Sequence, residues 1–353
     1  MEKYLGIDNV CAWPNIKKLP NGEIIAVIFN QPCHLLWEGT IECHVSSDNG
    51  KSWELRSRPV INEPETSRGN IAVGLNNDGE IIVLCGGWDN AAPAPEKGVQ
   101  GNIGDDRIKY NMKDKQVLWP VCSVSKDNGN TWRTSEIKVE DADNVPGWVP
   151  FGDIITLDNG NLGCSMYGAS KTAFSGKAEK FSSFFMESED NGVTWKCLSN
   201  IAKDGNETEI IKLPNGKLFA AVRKQHLDLY ESTDEGKSWK YISPLTSKAM
   251  YPAGFSLLDD GHLLLTYGIR HKGLYGIGAM TMELESEIWN TPMLIADFGE
   301  AWDGGYPSNV QLDNGDIVTA YYCSPNQDHK CYHMGVVIWN WRTIFNTRNT
   351  CPK

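Results

Sequence analysis

Five side chains in this chain could do chemistry together if the fold brings them into one pocket: Arg68, Glu207, Arg223, Arg270 and Tyr306. A free phenol ionises near pH ~10 and is a weak nucleophile. A carboxylate within hydrogen-bond reach removes its proton as attack proceeds. Arg223, Arg270 and Arg68 could hold an anionic substrate group through paired N–H donors. A recurring Leu-x-x-Gly turn connects these residues. Six positions before its Leu stand Trp13, Gly69, Phe151, Glu207, Pro252 and Tyr306. Seven before it stand Ala12, Arg68, Pro150, Asn206, Tyr251 and Gly305, while Arg223 and Arg270 follow near the ends of the next strands.

The turn itself occurs at Leu19–Gly22, Leu157–Gly160, Leu213–Gly216, Leu258–Gly261 and Leu312–Gly315, with Leu75–Gly79 as a variant one residue longer. Apolar runs flank each copy, the pattern of strand, tight turn, strand. Successive glycines are 57, 81, 56, 45 and 54 residues apart, a period that suits four strands. A second pattern, Ser-x-Asp-x-Gly-x-[Ser/Thr]-Trp, lies between them at Ser46–Trp53, Ser125–Trp132, Ser188–Trp195 and Ser232–Trp239. Its Asp can bond backbone N–H groups two residues on, and its Gly can take a positive φ. Together the repeats predict an all-β chain: one six-bladed β-propeller of four-stranded antiparallel blades. The blades fall at about 12–56, 68–134, 149–198, 206–242, 250–292 and 305–341.

In such a blade the first and third turns lie at one end, and both are short and stereotyped here. At the other end the distance from turn glycine to the next pattern serine is 24, 46, 28 and 16 residues, so variable loops cluster there. Variable loops on a rigid scaffold are where function concentrates. Glu207, Tyr306 and the arginines belong to that end, and the repeated aspartates do not. The longest irregular stretch, 86–117, brings Trp88 and Asp89 to the same face as a binding loop. Trp37 and Trp88 are candidate sugar-stacking platforms, along with Trp13, Trp119 and Trp148.

Composition narrows the partners. A formal charge of −12 argues against nucleic acid and anionic membranes but leaves room for a small anion held by local arginines. No apolar run is long enough to span a bilayer. Met1–Leu5 lacks a basic-then-apolar leader, so the expected location is cytoplasmic, or secreted if a leader has been removed. There are ten cysteines but no Cys-x-x-Cys, and Cys43, Cys85, Cys122 and Cys164 read as buried thiols inside strands.

The Ser-x-Asp-x-Gly-x-x-Trp repeat resembles the Asp box of the sialidase superfamily, and the likeness extends over all six units. Asn206–Arg223, with its Asn-Glu opening and closing arginine, is similar to the family segment that bears the nucleophile's base. Gly305-Tyr306-Pro307-Ser308 is similar to the segment bearing the nucleophilic tyrosine. The resemblance implies Tyr306 as nucleophile, Glu207 as its base, and Arg223 and Arg270 as carboxylate-binding arginines. The chain departs from the family in two places. Ala12-Trp13-Pro14 stands where the family has Arg-Ile-Pro, so the first arginine is absent, and Arg68 is the candidate replacement. The family's loop aspartate, the acid/base, falls in His34-Leu35-Leu36-Trp37-Glu38-Gly39, where Glu38 is the nearest match and His34 the rival.

A tyrosine nucleophile suits a sialoside, whose anomeric carbon carries a carboxylate that would repel a carboxylate nucleophile; sialidases are exceptions to the two-carboxylate rule. The expected function is therefore an exo-acting, retaining glycoside hydrolase that removes a terminal acidic sugar. It implies no metal or organic cofactor and a glycan or small acidic sugar as partner. The alternatives are a non-catalytic propeller that binds a glycan or protein, and a lyase acting on uronic-acid polysaccharide.

Overall fold

The structure is a computed structural model that describes residues 1–94, 116–140, 145, 147–168 and 181–346. Its described strands fall into six groups, antiparallel within each apart from one short outer strand that runs parallel to its neighbour. A short parallel pairing joins the inner strands of the second and third groups. Leaving β1 (Glu2–Asp8) for the last unit, the first group is β2–β5 (Asn15–Lys18, Ile24–Phe29, Ile41–Ser46, Glu54–Val60). The second is β6–β9 (Ser67–Leu75, Ile81–Trp88, Val121–Ser125, Arg133–Glu136). The third is β10 (Lys138–Glu140) with β11–β14 (Trp148–Thr156, Leu162–Gly168, Ser182–Ser188, Thr194–Lys203). The fourth is β15–β18 (Thr208–Lys212, Leu218–Arg223, Leu227–Ser232, Lys240–Pro244). The fifth is β19–β23 (Met250–Leu257, His262–His271, Leu274–Glu283, Ile288–Trp289, Met293–Asp297). The sixth is β24–β26 (Gly304–Gln311, Ile317–Cys323, His333–Trp339), completed by β1, which pairs with β26 from Glu2↔Ile338 to Asp8↔His333.

The core lies between these groups. Separate apolar clusters join the first unit to the second, the second to the third, and so on round to the sixth, and a further cluster joins the sixth to the first. Ile7, Ile16, Ile24 and Ile28, for example, pack against Val318, Val336 and Ile338. The innermost strands β2, β6, β11, β15, β19 and β24 touch in turn and close a ring. Alternate residues of each strand serve opposite faces, so strands such as β3, buried along their length, feed two of these clusters at once. Strand composition explains the cysteines: Cys43, Cys85, Cys122 and Cys164 are buried within these layers. Burial pushes the thiols of Cys43, Cys85 and Cys122 up to about 12.

Both repeated turns have a backbone cause. In the first, Gly22 takes φ 88°, its N–H bonds to Leu19 O at 2.9 Å, and Leu19 N–H bonds to Glu23 O at 2.8 Å. That is a three-residue hairpin loop closed on a left-handed glycine. In the Asp box, two consecutive left-handed residues such as Asn49 (φ 64°) and Gly50 (φ 88°) make a primed hairpin turn. Ser46 Oγ accepts from Gly50 N–H at 2.8 Å, and Asp48 Oδ1 accepts from the Ser52 N–H at 2.9 Å. Burial resists ionisation of Asp48, but the Ser52 and Ser46 donors outweigh it and hold the carboxyl down at about 2. At Gly236 (φ 84°) a Cβ would also lie 2.3 Å from the Phe185 ring, so the turn is wedged against the preceding unit. Ile24 pairs with Ser46, which puts the Asp box beside the first turn and at the opposite end of the unit from Ala12 and Trp13.

One register differs from the sequence expectation. In the second unit Gly79 N–H bonds to Asn76 O, and Asn76 N–H to Glu80 O. Asn76 therefore occupies the place of the turn Leu, and no residue has been inserted. The position six before the turn is Asn70 rather than Gly69, and Arg68 moves one place further out.

Candidate active site

The inner strands converge at the end of the ring opposite the Asp boxes. Four of them carry an irregular pairing there, between Arg68 and Ile71, Phe151 and Ile155, Met250 and Ala253, and Gly305 and Ser308. Such a bulge re-aims side chains. With the register corrected, the residues six before each turn are Trp13, Asn70, Phe151, Glu207, Pro252 and Tyr306, and most of them meet around Tyr306. The Trp13 and Phe151 rings stand 5.6 and 5.9 Å from the Tyr306 ring. Tyr306 itself has φ 55°, an unfavourable backbone for a bulky residue. Strain of this kind concentrates at functional sites.

The Tyr306 hydroxyl donates to Glu207 Oε1 at 2.6 Å and accepts from Arg223 Nη1 at 2.8 Å. The same Arg223 nitrogen pairs with Glu207 Oε2. Tyr306 and Glu207 are both buried, at 7% and 5% exposure. Burial raises the Tyr306 hydroxyl above its ordinary value, Arg223 draws it back down, and Glu207 raises it. Burial disfavours the Arg223 cation, but Glu207 and Tyr306 outweigh that, so the guanidinium stays charged. The Tyr251 ring lies beneath both arginines, 4.3 Å from Arg223 and 5.6 Å from Arg270. Arg270 Nε and Nη2 donate to Gly304 O at 3.1 and 3.0 Å, so this arginine fixes the backbone two residues before Tyr306.

Beside this group lies a second one. Asp303, 2% exposed, accepts from the Tyr322 hydroxyl at 2.8 Å and from the Tyr332 hydroxyl at 2.7 Å, and lies 3.0 Å from His34 Nε2. Burial resists ionisation of Asp303, yet His34 and the two phenols outweigh it and hold the carboxyl at about 2. His34 stands edge-on to Trp13 at 5.8 Å and to Tyr322 at 5.7 Å. The Tyr322 ring lies 5.6 Å from Tyr306. One aromatic wall therefore holds a phenol–carboxylate pair and a histidine–carboxylate pair. Below it the axis narrows to a cavity of about 30 Å³ bounded by residues of all six inner strands, among them Asn15, Ile71, Gly152, Glu209, Gly254 and Ser308. That space holds about one water and bars a sugar from passing through.

The other candidates are held elsewhere. The carboxylate of Glu38 accepts from the Glu65 N–H at 2.6 Å, capping a neighbouring loop, so of the two candidates for the acid it is His34 that borders the tyrosine cluster. Arg68 pairs with Glu63 at 2.9 Å and donates to Trp119 O, which follows from its shifted register. It does not stand in for the absent first arginine. Trp37 is 4% exposed in the core between the first two units and offers no face to a sugar. Trp88 packs against that core and donates Nε1 to Asn70 Oδ1 at 3.3 Å. The Asp89 carboxylate accepts from Gln116 N–H at 2.6 Å. Most of the 86–117 loop lies outside the described residues.

Asp303 and Tyr322 escaped the sequence reading, and Tyr251 was placed at the right end of its strand but given no part in the site. A signal for Tyr322 was present: ten residues after the turn Leu stand Tyr167, Arg223 and Tyr322. Asp303 has no such signal, because it precedes its strand and lies outside the repeat.

Residues 107–319 match the family described as a BNR repeat-like domain. A sialidase of Clostridium perfringens is 22% identical over 260 residues, 68% of this chain and 63% of the relative. The chain thus spans less than two thirds of that relative's length. The structure of a protein of unknown function from Dyadobacter fermentans superposes with a TM-score of 0.78 at 21% identity, covering 96% of this chain and 98% of that one. A Trypanosoma rangeli sialidase in complex with the inhibitor DANA superposes at 0.67 with 16% identity, covering 98% of this chain and 56% of that one.

Proposed function

The chain belongs to the BNR repeat-like family of sialidase-type propellers, and from that premise we propose that it is an exo-acting, retaining glycoside hydrolase that removes a terminal acidic sugar. The contact that carries this proposal is the one between the Tyr306 hydroxyl and Glu207, 2.6 Å long and flanked by Arg223. A binding module has no need of a base beside a buried phenol.

In the first step the Tyr306 oxygen attacks the anomeric carbon and its proton passes to Glu207. The bond to the leaving oxygen breaks, and His34 gives that oxygen a proton. Arg223 offsets the charge that grows on the phenol oxygen while Glu207 is being neutralised. In the second step His34, now neutral, takes a proton from water, the water oxygen attacks the anomeric carbon, and the tyrosyl oxygen leaves and recovers its proton from Glu207. Asp303 fixes the His34 ring, the role of the third group in a nucleophile–base–orienter set. Two inversions give net retention. The cavity under Tyr306 is too small for a sugar, which suits a site that accepts chain ends.

Two arginines in place of three weaken the hold on a substrate carboxylate, since Ala12 stands where the family has its first arginine. This favours an acidic sugar other than an ordinary sialic acid. The test is a screen of aryl sialosides and uronides with wild type and Tyr306→Phe. The expected result is release of an acidic sugar by wild type and a loss of at least ~10²–10⁴-fold in the variant. A folded Tyr306→Phe protein with near-wild-type turnover sinks the tyrosine mechanism. A product that absorbs in the ultraviolet points to a lyase instead.

A further inference from the structure

The last strand of the ring and its clasp bring three metal-ligand side chains together away from the tyrosine site. Asp8 closes β1, and the connection from β25 to β26 carries His329 and Cys331. His329 Nε2 lies 2.7 Å from Asp8 Oδ1. These two atoms and the Cys331 sulfur all lie within 4.8 Å of one another. The His333 ring stands edge-on to His329 at 4.8 Å, and its Nδ1 is 2.9 Å from Cys331 O, so the turn bearing the three donors is braced from behind.

We propose that Asp8, His329 and Cys331 bind a divalent cation of the zinc class. A thiolate, an imidazole nitrogen and a carboxylate oxygen form a mixed S, N, O set, which suits a borderline-soft ion and not magnesium or calcium. Three protein donors leave a fourth tetrahedral position for water. Entry is open, because the side chains of Asp8 and His329 are 54% and 26% exposed. Cysteine binds a metal as its thiolate, so uptake of the ion through Cys331 releases a proton. Three atoms so close need only small side-chain movements to reach bonds of about 2.0–2.3 Å.

The site has a mechanical link to the centre of the ring. Tyr332, next to Cys331, donates its hydroxyl to Asp303 at 2.7 Å. A cation at Asp8, His329 and Cys331 would hold that turn in place and, with it, one of the donors that surround Asp303.

The experiment is titration of chelator-treated, reduced full-length protein with cobalt(II) at neutral pH, followed by competition with zinc. Wild type should show one saturable equivalent with a thiolate-to-cobalt charge-transfer band and tetrahedral d–d bands, displaced by zinc, with proton release in weak buffer. Cys331→Ser should lose the charge-transfer band. His329→Gln should keep the fold by circular dichroism and bind at least 10-fold more weakly. Absence of a saturable equivalent in wild type overturns the proposal. So does a Cys331→Ser protein with the same spectrum and affinity, which would place the ion on another thiol.

Discussion

His34 Nε2 and Asp303 Oδ2 meet at 3.0 Å, although 269 residues separate them in the chain. One comes from the first unit's loop and the other from the entry to the last inner strand, so closure of the ring is what forms the pair. As a proton donor to a leaving group, His34 should matter in proportion to how much the leaving group needs a proton. His34→Gln should lose ~10²–10⁴-fold on a natural glycoside and far less on an aryl glycoside with an acidic phenol. Equal losses on both substrates would remove His34 from the proton-transfer role.

Asp303 also makes stability depend on pH. Its folded-state carboxyl is depressed to about 2 from an ordinary 3.8, so its contribution is present above pH 3.8 and is lost as pH falls through 2. A depression of that size corresponds to about 2 kcal/mol. Asp303→Asn should therefore be less stable than wild type near neutrality by an amount of that order, and the gap should narrow below pH ~4. Urea titrations of both proteins from pH 6 down to pH 3 check this; a gap independent of pH would mean that packing, not charge, is lost.

Arg223 binds with a fork that lysine lacks. Arg223→Lys should raise KM for an acidic substrate at least 10-fold and should also lower kcat, because the same guanidinium contacts Tyr306 and Glu207. Arg270→Lys should act mainly on KM, since the Arg270 head group contacts Gly304 O. Steady-state kinetics on the substrate found by the screen separates the two. A purely KM effect at Arg223 would count against its part in stabilising the phenolate.

The Asp boxes should affect folding and leave turnover alone. Asp190 accepts from Thr194 N–H at 2.8 Å and from Ser188 Oγ at 2.9 Å, beside the fully buried Trp195. Asp190→Ala should cost about 1–3 kcal/mol by leaving turn donors unmet. The denaturant midpoint should fall while kcat at low temperature stays at the wild-type value. A drop in kcat without a drop in stability would place this box nearer the chemistry than the topology allows.

Much of the architecture was legible because the local chemistry repeats. A turn glycine at φ 76–88° recurs in all six units, and an Asp that binds backbone N–H groups recurs in the first four, so each leaves the same residue types wherever it occurs. Tyr306 and Glu207 could be found through that period, as they lie at one fixed offset from it. Arg68 could not be placed correctly, because Asn76 occupies the turn position of Leu in the second unit and a shift of one residue changes the face of a strand. The choice between Glu38 and His34 was not decidable from the loop sequence. It depends on Asp303, a residue outside the repeat whose partners come from the first and last units. The strand β1 was missed for a related reason: it precedes the first turn and pairs with the end of the chain.

That pairing has a bearing on assembly. Glu2 faces Ile338, so among the described strands the earliest in sequence waits for the latest. Until β1 docks, β26 presents an unpaired edge along its whole length, a template on which the β1 of a neighbouring molecule fits as well as its own. A swapped pair of rings would have the same contacts as two closed ones. At high protein concentration one molecule's clasp can therefore complete another's ring.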